Sequence, residues 1–216
     1  MLRSRLLDDV AHGFTSRAEG DLRAGREGEA ADLVNLLGGG GRLCVVTQVH
    51  GVRVVDGGSA TLTEEADAIV STRPGLVIAV RVADCVPIVM AAPGAVAAVH
   101  AGWRGTAADI ARIGLRALCD AASCTPAQVR VAIGPCIGRC CYEVGSEVVE
   151  AVGRVTPGIA WRSAMNVDLG AANAEILRGE GARVEALDLC TRCDARFWSH
   201  RRDGALAGRQ VGAIRA

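Results

Sequence analysis

From Leu43 onward, apolar and polar positions alternate in short blocks. β-branched and apolar runs at 43–49, 52–55, 68–71, 76–82, 86–91 and 95–100 are each bounded by Gly, Pro or Asp, and this pattern predicts strands. Several are apolar at consecutive positions, so many of these strands are expected to be covered on both faces. The period then lengthens. Ala107, Ile110, Ile113, Leu115 and Leu118 form a helical stripe, with Thr106 as the expected N-cap. A strand at 129–133, a helix near Gly145 to Val152, a helix capped by Asp168 and running to about Gly179, and strands at 183–187 and 210–214 complete the chain. Residues 1–42 are polar and Gly-rich, with one helical candidate from Glu27 to Leu37. Without an internal repeat or a linker-like stretch, this mixture predicts a single α/β domain over 1–216.

Composition agrees with a packed interior: half of the 216 residues are hydrophobic and 22% are charged. The 24 acidic and 24 basic residues cancel, so no overall field draws in nucleic acid or an anionic membrane. All the basic residues are arginine, which excludes a Walker-type phosphate loop, a Schiff-base lysine and a lysine general base. The first ten residues carry Asp8 and Asp9 and do not read as a secretory signal. The longest apolar run, Val86 to Val99, is 14 residues long and contains Pro87, Pro93 and Gly94. A bilayer-spanning helix needs roughly 20. The expectation is a soluble cytoplasmic protein.

Candidate chemistry concentrates in the cysteines and the four histidines, His12, His50, His100 and His200. If Pro93-Gly94 is the tip of a hairpin, Ala92 faces Ala95, His100 falls opposite Pro87, and Cys85 lies two residues along on the same face. Such diagonal neighbours are roughly 7–8 Å apart at Cα, a gap that metal–sulfur and metal–imidazole bonds can close. His50, in Gln48-Val49-His50-Gly51, adds a second imidazole from another expected strand end. Two imidazoles and one thiolate suit Zn²⁺ with a fourth position open, the mark of a catalytic rather than a structural site. Taken singly, each residue also fits a buried core role.

Cys136, Cys140 and Cys141, together with the C-x₂-C pair Cys190 and Cys193, could build a separate structural zinc site. Cys44, Cys119 and Cys124 read as buried hydrophobes. His100 also opens the loop His100-Ala101-Gly102-Trp103-Arg104-Gly105, whose Arg104 beside an expected helix start makes an anion-binding corner. Phe197 to Gly204, with Arg201 and Arg202 beside two aromatics, is a candidate pocket wall.

The segments Gln48 to Gly51, Ala83-Asp84-Cys85-Val86-Pro87, Val99 to Gly105, Ile133-Gly134-Pro135, Cys140 to Gly145, Asp168-Leu169 with Ala172-Asn173, Cys190-Thr191, Phe197 to Asp203 and Gly208-Arg209 together resemble one family. It is that of polyphenol oxidase or laccase-domain proteins, largely purine nucleoside phosphorylases with adenosine deaminase activity, some bacterial members being called peptidoglycan editing factors. The resemblance runs from about His12 to the C-terminus. It implies a four-layer α/β/β/α sandwich with mixed sheets, and metal ligation by His50, Cys85 and His100. It also implies phosphorolysis of adenosine, inosine and methylthioadenosine, and hydrolytic deamination of adenosine. One departure stands out. After His12-Gly13-Phe14-Thr15-Ser16-Arg17 only 30 residues (18–47) precede Gln48, and most of the family's Ser-x-Asn-Leu-Gly region is missing, with Asn35 an ambiguous substitute.

On this reading Zn²⁺, or Cu²⁺ in its place, is the cofactor, serving as Lewis acid and template and as activator of a water. Asp84, Cys85 and His100 are the catalytic candidates, with Asp84 carrying a proton or orienting an imidazole. Gln48, Arg104 and Arg201 are the substrate contacts, the arginines on phosphate. The expected partners are purine nucleosides and phosphate, with the protein a monomer. Three rivals stand beside it: a metal-independent hydrolase with Cys85 as nucleophile and His100 as base, a copper-dependent phenol oxidase, and a non-catalytic zinc-holding binding module. Four histidines are too few for a multicopper laccase, whose coppers gather many imidazoles.

Overall fold

A computed structural model of the chain describes residues 1–23, 33–38, 42–156 and 165–216. Among the described residues, ten strands form two mixed sheets. The first has the order β1 (His12–Phe14), β10 (Gln210–Arg215), β5 (Val77–Val82) and β2 (Leu43–Cys44), with only the β2–β5 pair parallel. The second has the order β3 (Val54–Asp56), β4 (Ala68–Ser71), β7 (Ala95–Ala101), β6 (Val86–Ala92), β8 (Arg130–Ile133) and β9 (Arg183–Ala186), parallel at its two outer pairs and antiparallel inside.

The pleat sorts the side chains of the central hairpin. On β6 and β7, Val86, Ile88, Met90, Ala97 and Val99 point away from the first sheet. There they pack under helices α1 (Trp103–Ala107), α2 (Ile110–Ala122), α3 (Ser146–Val155) and α4 (Leu169–Gly179). Val89, Ala91, Val96 and Ala98 point the other way and meet Ile78, Val80 and Ile214 of the first sheet. The outer face of that sheet, with Val77, Ala79, Val211 and Ala213, is covered by Leu22, Leu33, Val34 and Leu37. The order is therefore helix, sheet, sheet, helix, and the fourth layer is thin among the described residues. Between the sheets the Phe14 ring lies so close to Gly134 that a Cβ at 134 would come within 2.1 Å of it.

Most strands fall where the residue pattern puts them, but the amino-terminal region departs from it. β1 lies within a stretch that reads as polar, and 43–49 contributes only the two-residue β2. Of the helix expected at 27–37, residues 33–36 are helical and residues 27–32 lie outside the described set; Asn35 is exposed on that segment. Thr106 is not an N-cap. Helix α1 begins at Trp103 with Gly102 as its cap, and Thr106 is buried within it, accepting from Asn173 Nδ2 at 3.0 Å. The helix then breaks at Asp109, whose φ of 70° lies in the left-handed region that Asp tolerates better than most residues. Asp168 caps α4 as its sequence predicts, accepting from the Ala171 N–H at 2.8 Å. Cys44 and Cys119 are buried, whereas Cys124 is only half-buried.

His12 is fully buried and fixed as a neutral ring. Its Nε2 accepts from the Ser4 N–H at 2.9 Å, and its Nδ1–H donates to the Val10 carbonyl at 2.8 Å. Burial holds its pKa below the ordinary 6.5. The unfolded chain therefore binds a proton that the folded chain refuses, so stability falls as pH drops from 6.5 through the lower folded value. Denaturant midpoints measured at pH 7.5 and pH 5 are expected to fall for the wild type and to fall less for His12→Gln. Equal falls would show that His12 does not contribute.

Candidate metal centre

Cys85 and His100 come together as the hairpin register requires. β6 and β7 pair Ala92 with Ala95 and Pro87 with His100. His100 shares the inner-face parity of Val96 and Ala98, and Cys85 that of Pro87 and Val89. Both reach the open end of the hairpin. His50 arrives from a loop rather than a strand end, in the left-handed region at φ 61°. The ligand atoms of His50, Cys85 and His100 lie within 4.8 Å of one another, and the two imidazoles meet edge to face at 4.8 Å between centroids.

Each ligand loop is pinned by a carboxylate. Asp67, just before β4, falls opposite His100 when β4 pairs with β7. Its Oδ1 accepts from His100 Nδ1–H at 2.7 Å and from the His50 N–H at 3.0 Å, and its Oδ2 accepts from the Gly51 N–H at 2.6 Å. The same residue thus fixes the His100 tautomer, leaving Nε2 as ligand atom, and holds the strained His50 loop. Burial would raise the Asp67 carboxyl, but the hydrogen bonds from His100 and Gly51 outweigh it and keep it below the usual range.

Asp84, also left-handed at φ 89°, is held by Thr191 Oγ1–H on Oδ1 and the Arg201 N–H on Oδ2, both at 2.6 Å. It turns the backbone so that Cys85 faces the imidazoles. Both its oxygens are engaged and neither touches a ring, so Asp84 neither orients an imidazole nor stands free as a proton carrier; Asp67 is the orienting acid.

Donor chemistry and spacing fit a four-coordinate cation. Tetrahedral bonds of about 2.3 Å to sulfur and 2.0–2.1 Å to nitrogen put those atoms about 3.6 Å apart; Cys85 Sγ and His50 Nε2 are 3.8 Å apart. Burial alone would raise the Cys85 thiol, but His100 and His50 outweigh it and lower it. The thiolate and Asp67 in turn raise His100 against its own burial. The trio is therefore poised to present sulfur as the anion a metal needs. Gly102 leaves the necessary space. A Cβ there would lie 2.8 Å from His50 Cδ2 and 3.3 Å from Cys85 Sγ.

The trio sits in a cleft of about 600 Å³ that is also lined by Gln48, Arg23, Arg81, Arg209 and His200. Among the described residues Arg81 and Arg209 have no carboxylate partner. Burial and the neighbouring charge of Arg209 lower the Arg81 pKa, as expected where two cations face each other. Gln48 lines the cleft but accepts from the Arg81 N–H and donates to the Arg81 carbonyl, both at 2.8 Å, so it positions Arg81.

Arg104 and Arg201 do not line this cleft. Arg104 lies over the Trp103 ring, and Arg201 donates to the Glu143 carbonyl at 2.9 Å and lies over Tyr142. Of the 197–204 stretch only His200 reaches the cleft; Phe197 is core, and Trp198 packs beneath Arg17. Residue pattern alone missed Asp67, Arg81 and Arg209. Only for Asp67 was there a usable signal, an acid immediately before a strongly apolar strand.

Fold and site together define an α/β protein with a two-imidazole, one-thiolate site at the floor of an arginine-lined cleft. Residues 15–216 match the family described as multi-copper polyphenol oxidoreductase laccase, and the chain belongs to that family. It is 34% identical over 230 residues to a purine nucleoside phosphorylase of Deinococcus radiodurans, covering 95% of this chain and 88% of that protein. It is 37% identical over 187 residues to adenosine deaminase RL5 from an unknown prokaryotic organism, covering 80% and 70% respectively. The crystal structure of YlmD from Geobacillus stearothermophilus superposes with a TM-score of 0.85 at 27% identity, covering 98% of this chain and 93% of that one. The family description does not carry a several-copper centre onto these residues. His12 has both ring nitrogens occupied inside the core, and His200 Nδ1 is engaged with the Gly204 carbonyl at 3.0 Å.

Proposed function

We propose that the protein is a zinc-dependent purine nucleoside phosphorylase that also deaminates adenosine, with the ion held by His50, Cys85 and His100. The observation that carries this reading is the convergence of those three ligands beneath a cleft lined by Arg23, Arg81 and Arg209. Bound there, zinc would supply Lewis acidity toward substrate oxygens and activate water.

The chain's own residues perform the remaining work. Arg81 and Arg209 bind phosphate through charge-assisted hydrogen bonds from the guanidinium N–H groups not spent on the Val46 carbonyl (Arg81) or on the Ala207 and Gly208 carbonyls (Arg209), and Gln48 holds the Arg81 backbone in place. They replace Arg104 and Arg201 in that role. His200, whose Nδ1–H is spent on the Gly204 carbonyl, presents Nε2 to the cleft, where the neutral ring accepts a hydrogen bond from substrate and the imidazolium form can donate its Nε2 proton to the departing purine. A cleft of this volume matches the size range of small-molecule sites and accommodates a nucleoside beside phosphate. The same proposal places the protein in the cytoplasm as a monomer with small-molecule partners; no described helix is long and apolar enough to cross a membrane.

Incubating zinc-loaded protein with inosine and phosphate is expected to give hypoxanthine and ribose 1-phosphate, and adenosine alone is expected to give inosine. Losing one charged hydrogen-bonding group costs about 1.5–3 kcal/mol, so Arg209→Leu is expected to raise the phosphate KM by about tenfold or more. Absence of product from the wild type with all of inosine, adenosine and methylthioadenosine overturns the reading.

A second reading rests on the lowered Cys85 thiol beside His100, the pair a cysteine hydrolase uses. Activity that persists in metal-stripped protein and is lost on alkylation of Cys85 would favour it.

A further inference from the structure

On the far side of the Asp84 clasp lie four more thiols. Cys140 and Cys141 follow β8, and Cys190 and Cys193 follow β9. Their sulfur atoms all lie within 4.8 Å of one another, with Cys193 Sγ 3.5 Å from Cys140 Sγ and 3.3 Å from Cys141 Sγ. An ion with four bonds of about 2.3 Å in a tetrahedron spaces its sulfurs about 3.8 Å apart.

We propose that Cys140, Cys141, Cys190 and Cys193 hold a second, structural zinc ion. Adjacent cysteines ordinarily diverge, but the turn closed by the Cys141 and Tyr142 N–H groups on the Gly138 carbonyl, at 2.9 and 3.1 Å, brings both sulfurs to Cys193. The C-x₂-C partner is a tight turn of its own, with the Asp194 N–H on the Cys190 carbonyl at 3.0 Å. The Gly138 N–H points at Cys190 Sγ at 3.3 Å, the kind of backbone donor that stabilises a ligating thiolate. Four thiolates and Zn²⁺ carry a net double negative charge, and Arg139 and Arg192 flank the ligands in the chain. Binding releases the four thiol protons and involves no redox step.

Cys136 takes no part. It is buried in the core, its sulfur against Gly170, although its backbone bridges to Cys190.

The consequence reaches the cleft. Thr191, whose hydroxyl fixes Asp84 beside Cys85, sits between two of the four ligands. The four-sulfur ion would tie the loops after β8 and β9 together and so set the position of Thr191.

Metal analysis of the full chain tests this independently of any activity. Wild-type protein prepared under reducing conditions and given excess zinc, then desalted, is expected to retain two equivalents. A His50→Ala/Cys85→Ala variant should retain one. Cobalt added to that variant is expected to give the intense visible bands of tetrahedral cobalt bound by four thiolates, abolished in a further Cys190→Ser/Cys193→Ser variant. Retention of no metal by the His50→Ala/Cys85→Ala variant overturns the proposal. So does a cobalt spectrum lacking thiolate bands, or recovery of the four cysteines as disulfides from reduced, zinc-treated protein. None of these outcomes bears on whether nucleosides are substrates.

Discussion

Cys85→Ala is expected to abolish phosphorolysis and deamination together, with turnover falling by on the order of 10²–10³-fold or more. The cleft should lose its zinc equivalent while the fold persists. Cys85 is the only anionic ligand of the trio, and two neutral imidazoles hold a divalent ion far more weakly than they do with a thiolate beside them. Its alanine stays at the end of a hairpin whose register is set elsewhere, by the Pro93-Gly94 tip and the Pro87–His100 pairing, so circular dichroism should be unchanged. Product formation is followed by separating hypoxanthine from inosine, and metal by elemental analysis of the same samples. Undiminished turnover would show that the cleft's ion is not part of the reaction. Recovery of activity when zinc is returned to stripped wild-type protein would exclude the cysteine-hydrolase alternative.

Asp67→Ala should damage both stability and metal affinity, because one carboxylate serves two loops. Its side chain is fully buried against His100. Removing it strands the His100 ring and the N–H groups of His50 and Gly51. Breaking a buried pair of this kind costs about 3–5 kcal/mol, and loss of an outer hydrogen-bond partner typically weakens metal binding by about 10–100-fold. Asp67→Asn keeps the volume and still offers one oxygen to those groups, so it should recover much of the stability. Only one of its two polar atoms can accept, so metal affinity should remain reduced. Zinc competition against a chromophoric chelator and urea unfolding of both variants read the two effects separately. Wild-type stability and wild-type metal affinity in Asp67→Asn would reduce Asp67 to a packing residue.

How far the site could be read in the chain depended on the distance over which pairing acts. Cys85 and His100 are joined by a hairpin, and one Pro-Gly turn with alternating faces suffices to bring them together. The Asp168 cap and the run of buried strands were legible for the same local reason. Asp67, Arg81 and Arg209 were not, because each reaches the cleft only through pairings between segments far apart in sequence: β4 with β7, and β5 with β10. Nearness in sequence to the ligand loop and the aromatics points Arg104 and Arg201 at phosphate, but they lie over Trp103 and Tyr142 and neither lines the cleft. The apolar run continues toward His50, but the strand stops at Cys44; Asp67, rather than a ladder of backbone bonds, holds His50.

The hairpin that presents Cys85 and His100 also has a closed end. At its Pro93-Gly94 turn, φ at Gly94 is 74° and a Cβ there would meet nothing within 4 Å. The seven-residue strands place this turn about 23 Å from the cleft. A fluorophore carried on a side chain substituted at the exposed position 93, with Gly94 kept for the turn, would stand clear of the reacting groups while riding on the same two strands. It would give labelled protein whose probe reports on the centre of the molecule rather than on a chain end.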